Sequence, residues 1–526
     1  MACVDSLPTQ VNILTLNCWG IPYVCPERSN RLLEIGRRIV QADPAPHIVG
    51  LQECFSREDF ERIRQETRNV LPYAKYYSAA TFGTGLVILS CWPIEETSMF
   101  RYPLNGSPTV FYHGDWYVGK GVAYAKIRYG QAPDHVIDVL NTHMHASYPG
   151  DEYLCHRLGQ AWEFGKILRF ALQRRHYRTL VVALGDLNAE PTSLPWRIVR
   201  HLVPDMLDTW VQSPLRCKLQ PGSGQRGVTT QNEEISIRDG ATYGSPYNTW
   251  MWTRDQRRRY LEQLDIPHDE LILPTDASHS EAIRIDYVLA NVAPLPLDKD
   301  KDDSAVNPSL SKVGSEEEPD ITNNNVTHGD GLWTVKTAKV GMLDRHPTLG
   351  CSLSDHFSVE VTLMFGHAQR ESATTSQELF DESSSPSSNV STSHRNGKHS
   401  DYHSHVPQHV SEDITSPTRE SLGGTKDDGV LDEMLHVLSS YQSVRQKRAW
   451  WARVRLGVLS VVSIGSLVGV GLIDGFGWAR SLLALAGILA SCFAVLDACR
   501  RLLFDLAEGA ALRELEWEVR NRNESH

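Results

Sequence analysis

Thr179-Leu180-Val181-Val182-Ala183-Leu184 is an unbroken aliphatic and β-branched run, and Gly185-Asp186-Leu187-Asn188 follows at once. A run this short and this apolar predicts a buried strand. An acid and an amide one residue apart then emerge at its carboxyl end, where open α/β sheets place their chemistry. Alone, such a tetrad also serves as a turn before the next helix, here with Thr192 as the cap. Other polar clusters narrow the choice, because each follows or opens a short apolar run of its own. They are Asn17 in Leu16-Asn17-Cys18-Trp19-Gly20, Glu53 in Leu51-Gln52-Glu53, and His143 in Asn141-Thr142-His143-Met144-His145. Two more are Asp286 in Arg284-Ile285-Asp286-Tyr287 and Asp355 with His356 in Ser354-Asp355-His356. Placed at strand ends in this way, all of them could converge on one edge of the sheet.

Taken in order, strands are expected at 11–16, 48–52, 86–89, 122–127 and 136–141. Helices are expected at 28–42, after a Ser56 cap with Asp59 three residues on, and at 152–175. An early βαβ unit followed by a meander predicts a sheet core with helices outside, within a catalytic domain spanning 1–366. Two segments interrupt the pattern. Residues 298–330 are rich in charge and read as a polar, disordered insertion. Residues 367–428 are rich in Ser, Thr, His and Asp and read as a disordered linker.

Beyond the linker, 429–448 is an amphipathic juxtamembrane helix with Leu431, Met434, Leu435, Val437, Leu438 and Tyr441 on its apolar stripe. Uncharged runs follow at 456–473 and 481–496, and a cytosolic tail at 497–526 closes the chain. At 1.5 Å per residue the first run covers roughly 27 Å, enough for a thin bilayer. Gly465 and Gly469, and Ala486, Ala490 and Ala494, recur every four residues and let two spans pack closely. Lys447, Arg448, Arg453 and Arg455 precede the first span and Arg500 and Arg501 follow the second, which puts both outer ends in the cytosol. The net charge of −12 disfavours a nucleic-acid partner, which would want a basic stripe. The ten cysteines are scattered and the first residues carry no secretory pattern, so a reducing compartment is expected.

The polar set suits phosphodiester hydrolysis. Carboxylate oxygens beside water and phosphate are what Mg²⁺ prefers. Histidines near neutral pKa can take a proton from water and return one to a leaving alkoxide, and asparagines can donate to phosphoryl oxygens without repulsion. The ordered motifs L-N-x-W-G, L-Q-E, T-H-x-H, G-D-L-N, I-D-Y and S-D-H resemble the endonuclease/exonuclease/phosphatase superfamily, with its DNase I-like four-layered α/β sandwich. His113-Gly114-Asp115-Trp116 with Gly119-Lys120 resembles the neutral sphingomyelinase branch, as do two carboxyl-terminal spans. Fungal inositol phosphosphingolipid phospholipases C are a near likeness.

That resemblance implies a phospholipase C that releases ceramide and a phosphorylated head group. It makes Glu53 the principal Mg²⁺ ligand, with Asp355 adding to the metal or water site. Asn17 and Asn188 would hold phosphate and water, Asp186 would orient the attacking water, and His356 would be the general base oriented by Asp286. His143 would stabilise phosphate or protonate the leaving group. Asp115 and Lys120 would form a switch responsive to anionic phospholipid, phosphatidylserine or cardiolipin; an ordinary surface pair is the competing expectation. The expected location is the endoplasmic reticulum, with the mitochondrial outer membrane as a second candidate, and the catalytic domain in the cytosol. A nuclease or other phosphodiesterase of the same fold, and a non-catalytic membrane scaffold, are the alternatives.

Overall fold

The computed structural model describes residues 7–78, 83–110, 114–175, 178–214, 240–262, 282–295, 331–367, 429–473 and 477–524. The expected insertion at 298–330 and linker residues 368–428 lie outside these residues. One sheet is built from β1 (Gln10–Asn17), β2 (Ile48–Gln52), β3 (Tyr73–Tyr77), β4 (Leu86–Ser90), β11 (Gly331–Gly341) and β12 (Ser358–His367), in the order β11-β12-β1-β2-β4-β3. The other is built from β5 (Ile94–Arg101), β6 (Gly121–Arg128), β7 (Val136–His143), β8 (Leu180–Asp186), β9 (Leu207–Asp208) and β10 (Asp286–Ala290), in the order β5-β6-β7-β8-β10-β9.

Strands buried on both faces explain the apolar runs. In the first sheet Leu14, Leu16, Val49 and Leu51 face outward onto Leu32, Ile35 and Ile39 of α1 (Arg28–Gln41) and Phe60 and Ile63 of α2 (Arg57–Thr67). Their neighbours Ile13, Ile48 and Ile88 face inward and meet Ala125, Val139, Val182 and Leu184 of the second sheet. The far face of that sheet, through Leu140, Val181 and Ala183, carries α4 (Leu154–Gln173) and α5 (Leu194–Leu202). Helix, sheet, sheet and helix thus stack as four layers, the sandwich the motifs imply. Ser56 caps α2 by accepting from the Asp59 amide at 3.3 Å, as expected. Thr192 does not cap α5. Ser193 stands at that position and its hydroxyl instead donates to the Glu190 carbonyl at 2.7 Å, while Pro195 removes one of the helix's early N–H donors. A four-residue helix, α3 (Asp115–Val118), precedes β6, and α6 (Arg254–Glu262) lies before β10.

Three further helices follow: α7 (Val430–Leu472), α8 (Gly477–Arg500) and, after a π-helical turn at Arg501–Asp505, α9 (Leu506–Asn523). Val430, Leu431, Met434 and Leu438 of α7 and Leu512, Leu515 and Val519 of α9 are buried in the same cluster as α4. Glu518 of α9 accepts from Trp162 Nε1 at 2.6 Å and from Lys166 Nζ at 2.7 Å. The segment expected as a tail therefore contains a helix that completes the outer layer. The middle of the hairpin is different: Val461 and Leu467 of α7 and Leu496 of α8 are 71%, 72% and 65% exposed. So little of this apolar surface is covered by protein that burial in a core does not account for it, and both helices are long and apolar enough to cross a membrane.

Truncating Met434→Ala or Leu515→Ala should each destabilise the catalytic unit by about 2–5 kcal/mol, read as a lower unfolding temperature in detergent. Leu485→Ala, on an exposed face of α8, should leave that temperature unchanged. Equal effects for all three would remove the distinction between docked and membrane-facing positions.

Candidate active site

Strand register, before any side chain is considered, brings the polar ends together. β1 runs parallel to β2 with Asn17 opposite Gln52, so Glu53 leaves β2 beside Asn17. In the second sheet Asp186, the last residue of β8, lies opposite His143 on β7 and opposite Asp286 on β10. Ser354-Asp355-His356 leads into β12, next to β1. The backbone turns sharply at these ends: Glu53 and Asn188 adopt positive φ of 56° and 47°, and Gly185 one of 127°. A Cβ on Gly185 would sit 2.0 Å from the Thr142 carbonyl oxygen, so the strands could not approach with any larger residue there.

Asn17 spans the gap between the sheets. Its Nδ2 donates to Glu53 Oε1 and to Asp186 Oδ2, each at 3.0 Å. His356 Nδ1 lies 2.9 Å from Asp286 Oδ2, and its Nε2 lies 3.9 Å from Asp186 Oδ2. The orienting carboxylate holds one ring nitrogen and leaves the other toward the centre of the site. His143 Nε2 lies 3.6 Å from Asp186 Oδ2 and 3.8 Å from Glu53 Oε1. Asn188 uses its Nδ2 on the Met144 carbonyl at 3.0 Å. Asp355 accepts from its neighbour Ser354 at 3.3 Å.

Lys120 and Asp115 are a buried pair, each 4% exposed, with Nζ 2.6 Å from Oδ1. The expectation of an ordinary surface pair is therefore set aside by their burial. Lys120 also reaches into the site, 3.0 Å from His143 Nε2 and 2.7 Å from the Met144 carbonyl. Tyr148 donates to Asp115 at 2.8 Å. All ten residues singled out as site candidates in the sequence thus occupy one linked region, which Asp115 joins through Lys120.

Charge is crowded here. Burial, then the Asp286 charge, raises Asp186 to about 6. Burial raises Asp355 to about 6 and also raises Glu53, where the Asn17 hydrogen bond and Lys120 pull the other way. Burial opposes a proton on His356, yet Asp286, Asp355 and Asp186 together raise its imidazole well above the usual range. His143 goes the other way, lowered well below its usual value by burial and then by Lys120. Asp115, despite burial, is held at about 2 by Lys120 and by His145.

The donor set fits a cation. Glu53 Oε2 and Asp286 Oδ1 are buried and have no hydrogen-bond partner, an arrangement that costs free energy unless a positive group meets it. Asp186, Asp286 and His356 bring ligand atoms within 4.8 Å of one another. Because Nδ1 of that histidine is engaged by Asp286, this trio suits holding a water, and Glu53 retains the unspent oxygen for a metal.

Several supporting residues carried no motif. Gln52 Nε2 donates to Asn141 Oδ1 at 2.7 Å, linking the two sheets just below the site. Arg31, fully buried, donates to the carbonyls of Cys18, Trp19 and Leu353 and lies against the Trp19 and Trp250 rings. Thr242 receives the Ile285 and Asp286 amides, and the Tyr243 ring lies 5.0 Å from that of His356.

Comparison with known proteins identifies the family. The profile of the Endonuclease/Exonuclease/phosphatase family matches residues 14–356. An inositol phosphosphingolipids phospholipase C of Schizosaccharomyces pombe is 34% identical over 365 residues, 68% of this chain and 69% of the relative. The protein of the same description in Saccharomyces cerevisiae is 29% identical over 384 residues, 68% of this chain and 65% of the relative. The human sphingomyelin phosphodiesterase 2 is 34% identical over 187 residues, 35% of this chain and 42% of its own.

Asp286→Asn removes the first of the charges that hold a proton on His356, so the imidazole should titrate at lower pH. A raised folded-state value stabilises the fold below the unfolded imidazole's value of about 6.5 and is lost as pH rises through the folded value. The variant's stability deficit should therefore be largest at acid pH and shrink as pH rises. Histidine NMR titration with chelator present checks the shift; an unchanged midpoint would show that Asp286 is not the controlling charge.

Proposed function

Because the chain belongs to the endonuclease/exonuclease/phosphatase family, we propose that it is a membrane-anchored, Mg²⁺-dependent sphingolipid phospholipase C. The observation that carries this reading is the junction of a phosphodiesterase-type site with two apolar helices through a shared core. The substrate is an inositol phosphosphingolipid, sphingomyelin or both, and the products are ceramide and a phosphorylated head group. A net charge of −12 speaks against a nucleic-acid substrate.

Glu53 would be the principal ligand for Mg²⁺, with Asp355 adding to the metal or water site. When bound, the cation would offset the charge of the phosphoryl oxygens. His356, oriented by Asp286, takes the proton from a water that Asp186 orients toward phosphorus. Asn17 and Asn188 face the same space and donate to phosphoryl oxygens once their present carbonyl and carboxylate partners yield. His143, beside Lys120, stabilises the phosphate or assists protonation of the departing ceramide oxygen, and in the second role it must first take up the proton it passes on, because its low proton affinity leaves the resting ring neutral. Anionic phospholipid, phosphatidylserine or cardiolipin, activates through the Asp115–Lys120 pair. The enzyme resides in the endoplasmic reticulum or mitochondrial outer membrane with its catalytic unit in the cytosol.

Detergent-solubilised full-length protein should hydrolyse one or both sphingolipids in a side-by-side panel with plasmid DNA, lose activity in EDTA and regain it with Mg²⁺. Glu53→Ala and Glu53→Gln should abolish turnover with the fold intact, and His356→Ala should lower it by at least ~10²-fold. DNA cleavage without lipid hydrolysis, or full activity of Glu53→Ala in chelator, would overturn the reading.

A further inference from the structure

His156 of α4 belongs to no motif, is 1% exposed, and joins three parts of the molecule. Its Nδ1 accepts the Gly106 amide at 2.8 Å. Nδ1 is therefore unprotonated, and in the neutral ring the proton sits on Nε2. That nitrogen lies 3.0 Å from Glu508 Oε1 of α9 and 3.1 Å from the Tyr441 hydroxyl of α7. Tyr441 itself donates to the same Glu508 oxygen at 2.7 Å, and Arg445 lies 3.3 Å from the other. Burial opposes charge on Glu508, but His156, Tyr441 and Arg445 hold it at about 2. The carboxylate is thus ionised and fully engaged.

From Gly106 the connection continues to the site. Asn105 Nδ2 donates to the Lys120 carbonyl at 3.2 Å and to the Tyr102 carbonyl at 2.9 Å, and the Tyr102 amide also donates to the Lys120 carbonyl at 3.1 Å. Gln160, one turn along α4 from His156, holds the Leu104 carbonyl at 2.8 Å and Asn105 Oδ1 at 2.9 Å. Gly106 also packs closely against the site, since a Cβ there would lie 2.8 Å from His145 Nε2. A second contact runs alongside: Phe504, in the π-helical turn after α8, packs edge-on against Trp116 with ring centres 4.8 Å apart, next to Asp115.

We propose that His156 is a positioning residue for the phosphodiester hydrolysis proposed above, holding Lys120 against His143 through segment 102–106 and making that placement depend on docking of α7 and α9 through Tyr441 and Glu508. Lys120 is a buried cation whose ammonium meets Asp115, the Met144 carbonyl and His143, and a shift of the backbone held through its carbonyl moves that ammonium relative to His143. Displacements of this size are felt strongly in catalysis. The helices that supply Tyr441 and Glu508 are continuous with, or follow directly on, the two apolar helices. The membrane-anchored part of the chain thereby becomes part of the active-site scaffold.

Two readouts on full-length protein in detergent test this. One is turnover of dispersed sphingolipid; the other is acetylation of Lys120 by an amine reagent, followed by mass spectrometry. Glu508→Ala and His156→Asn should each lower kcat by about tenfold with KM little changed, and both should raise Lys120 labelling. His156→Asn keeps an acceptor for Gly106 but cannot reach Glu508. Glu508→Gln keeps an acceptor for His156 Nε2–H and should restore kcat and labelling to near the wild-type values. If Glu508→Ala does not fold, His156→Asn makes the same comparison. Unchanged Lys120 labelling in the folded variants overturns the proposal, whatever kcat does. Absence of turnover in the wild type would instead defeat the hydrolase reading, and the labelling would still judge the positioning.

Discussion

The side-chain amide of Asn17 donates at 3.0 Å to a carboxylate from each sheet, Glu53 of the first and Asp186 of the second. Two buried carboxylates so close together repel each other and resist dehydration. The neutral donor between them relieves part of that cost without introducing a competing cation. The surrounding architecture keeps the three groups there. The parallel pairing of β1 with β2 and of β7 with β8 sets which residues reach the edge, and Gln52 with Asn141 ties the sheets together immediately beneath. Gly50 contributes by absence, since a Cβ there would lie 2.0 Å from Leu184 Cδ1.

The same crowding gives the site its direction. A carboxylate-rich centre with Glu53 Oε2 and Asp286 Oδ1 unpaired is poised to accept positive charge. Burial opposes charge on His356, but Asp286, Asp355 and Asp186 raise its imidazole well above the usual range. A bound divalent ion would offset part of that carboxylate charge and return the imidazole toward the neutral form that a general base requires. His143 goes the other way, lowered by burial and then by Lys120. Two histidines in one site are thus pushed apart in proton affinity by their immediate neighbours, and His356 can act as a base only when the charge around it is offset.

Much of this was legible in the sequence because β-branched runs and strand-end polar residues are local signals. The expected strand at 48–52 is β2, and the expected helix at 152–175 encloses α4. All the residues named in advance lie in one region for the same reason: strand register converts sequence position into place. What the sequence hid was pairing at a distance. Gln52 and Asn141 are unremarkable polar residues until two sheets meet, and Arg31 reads as a surface residue on an amphipathic helix. His156 looks like one polar position on a long apolar helix. Its partners stand 285 and 352 residues away. The docking of α9 was equally hidden, because Leu512, Leu515 and Val519 sit among charges whose own partners lie on α4 and α7.

Anchoring and chemistry meet in one compact unit, since α7 and α9 bury their apolar faces on the same helices that support the second sheet. Hydrolysis in water labelled with heavy oxygen tests the proposed attack on phosphorus most directly. The label should appear in the released phosphorylated head group, with the ceramide unlabelled. Label in the ceramide, or release of free head group with ceramide phosphate, would contradict it.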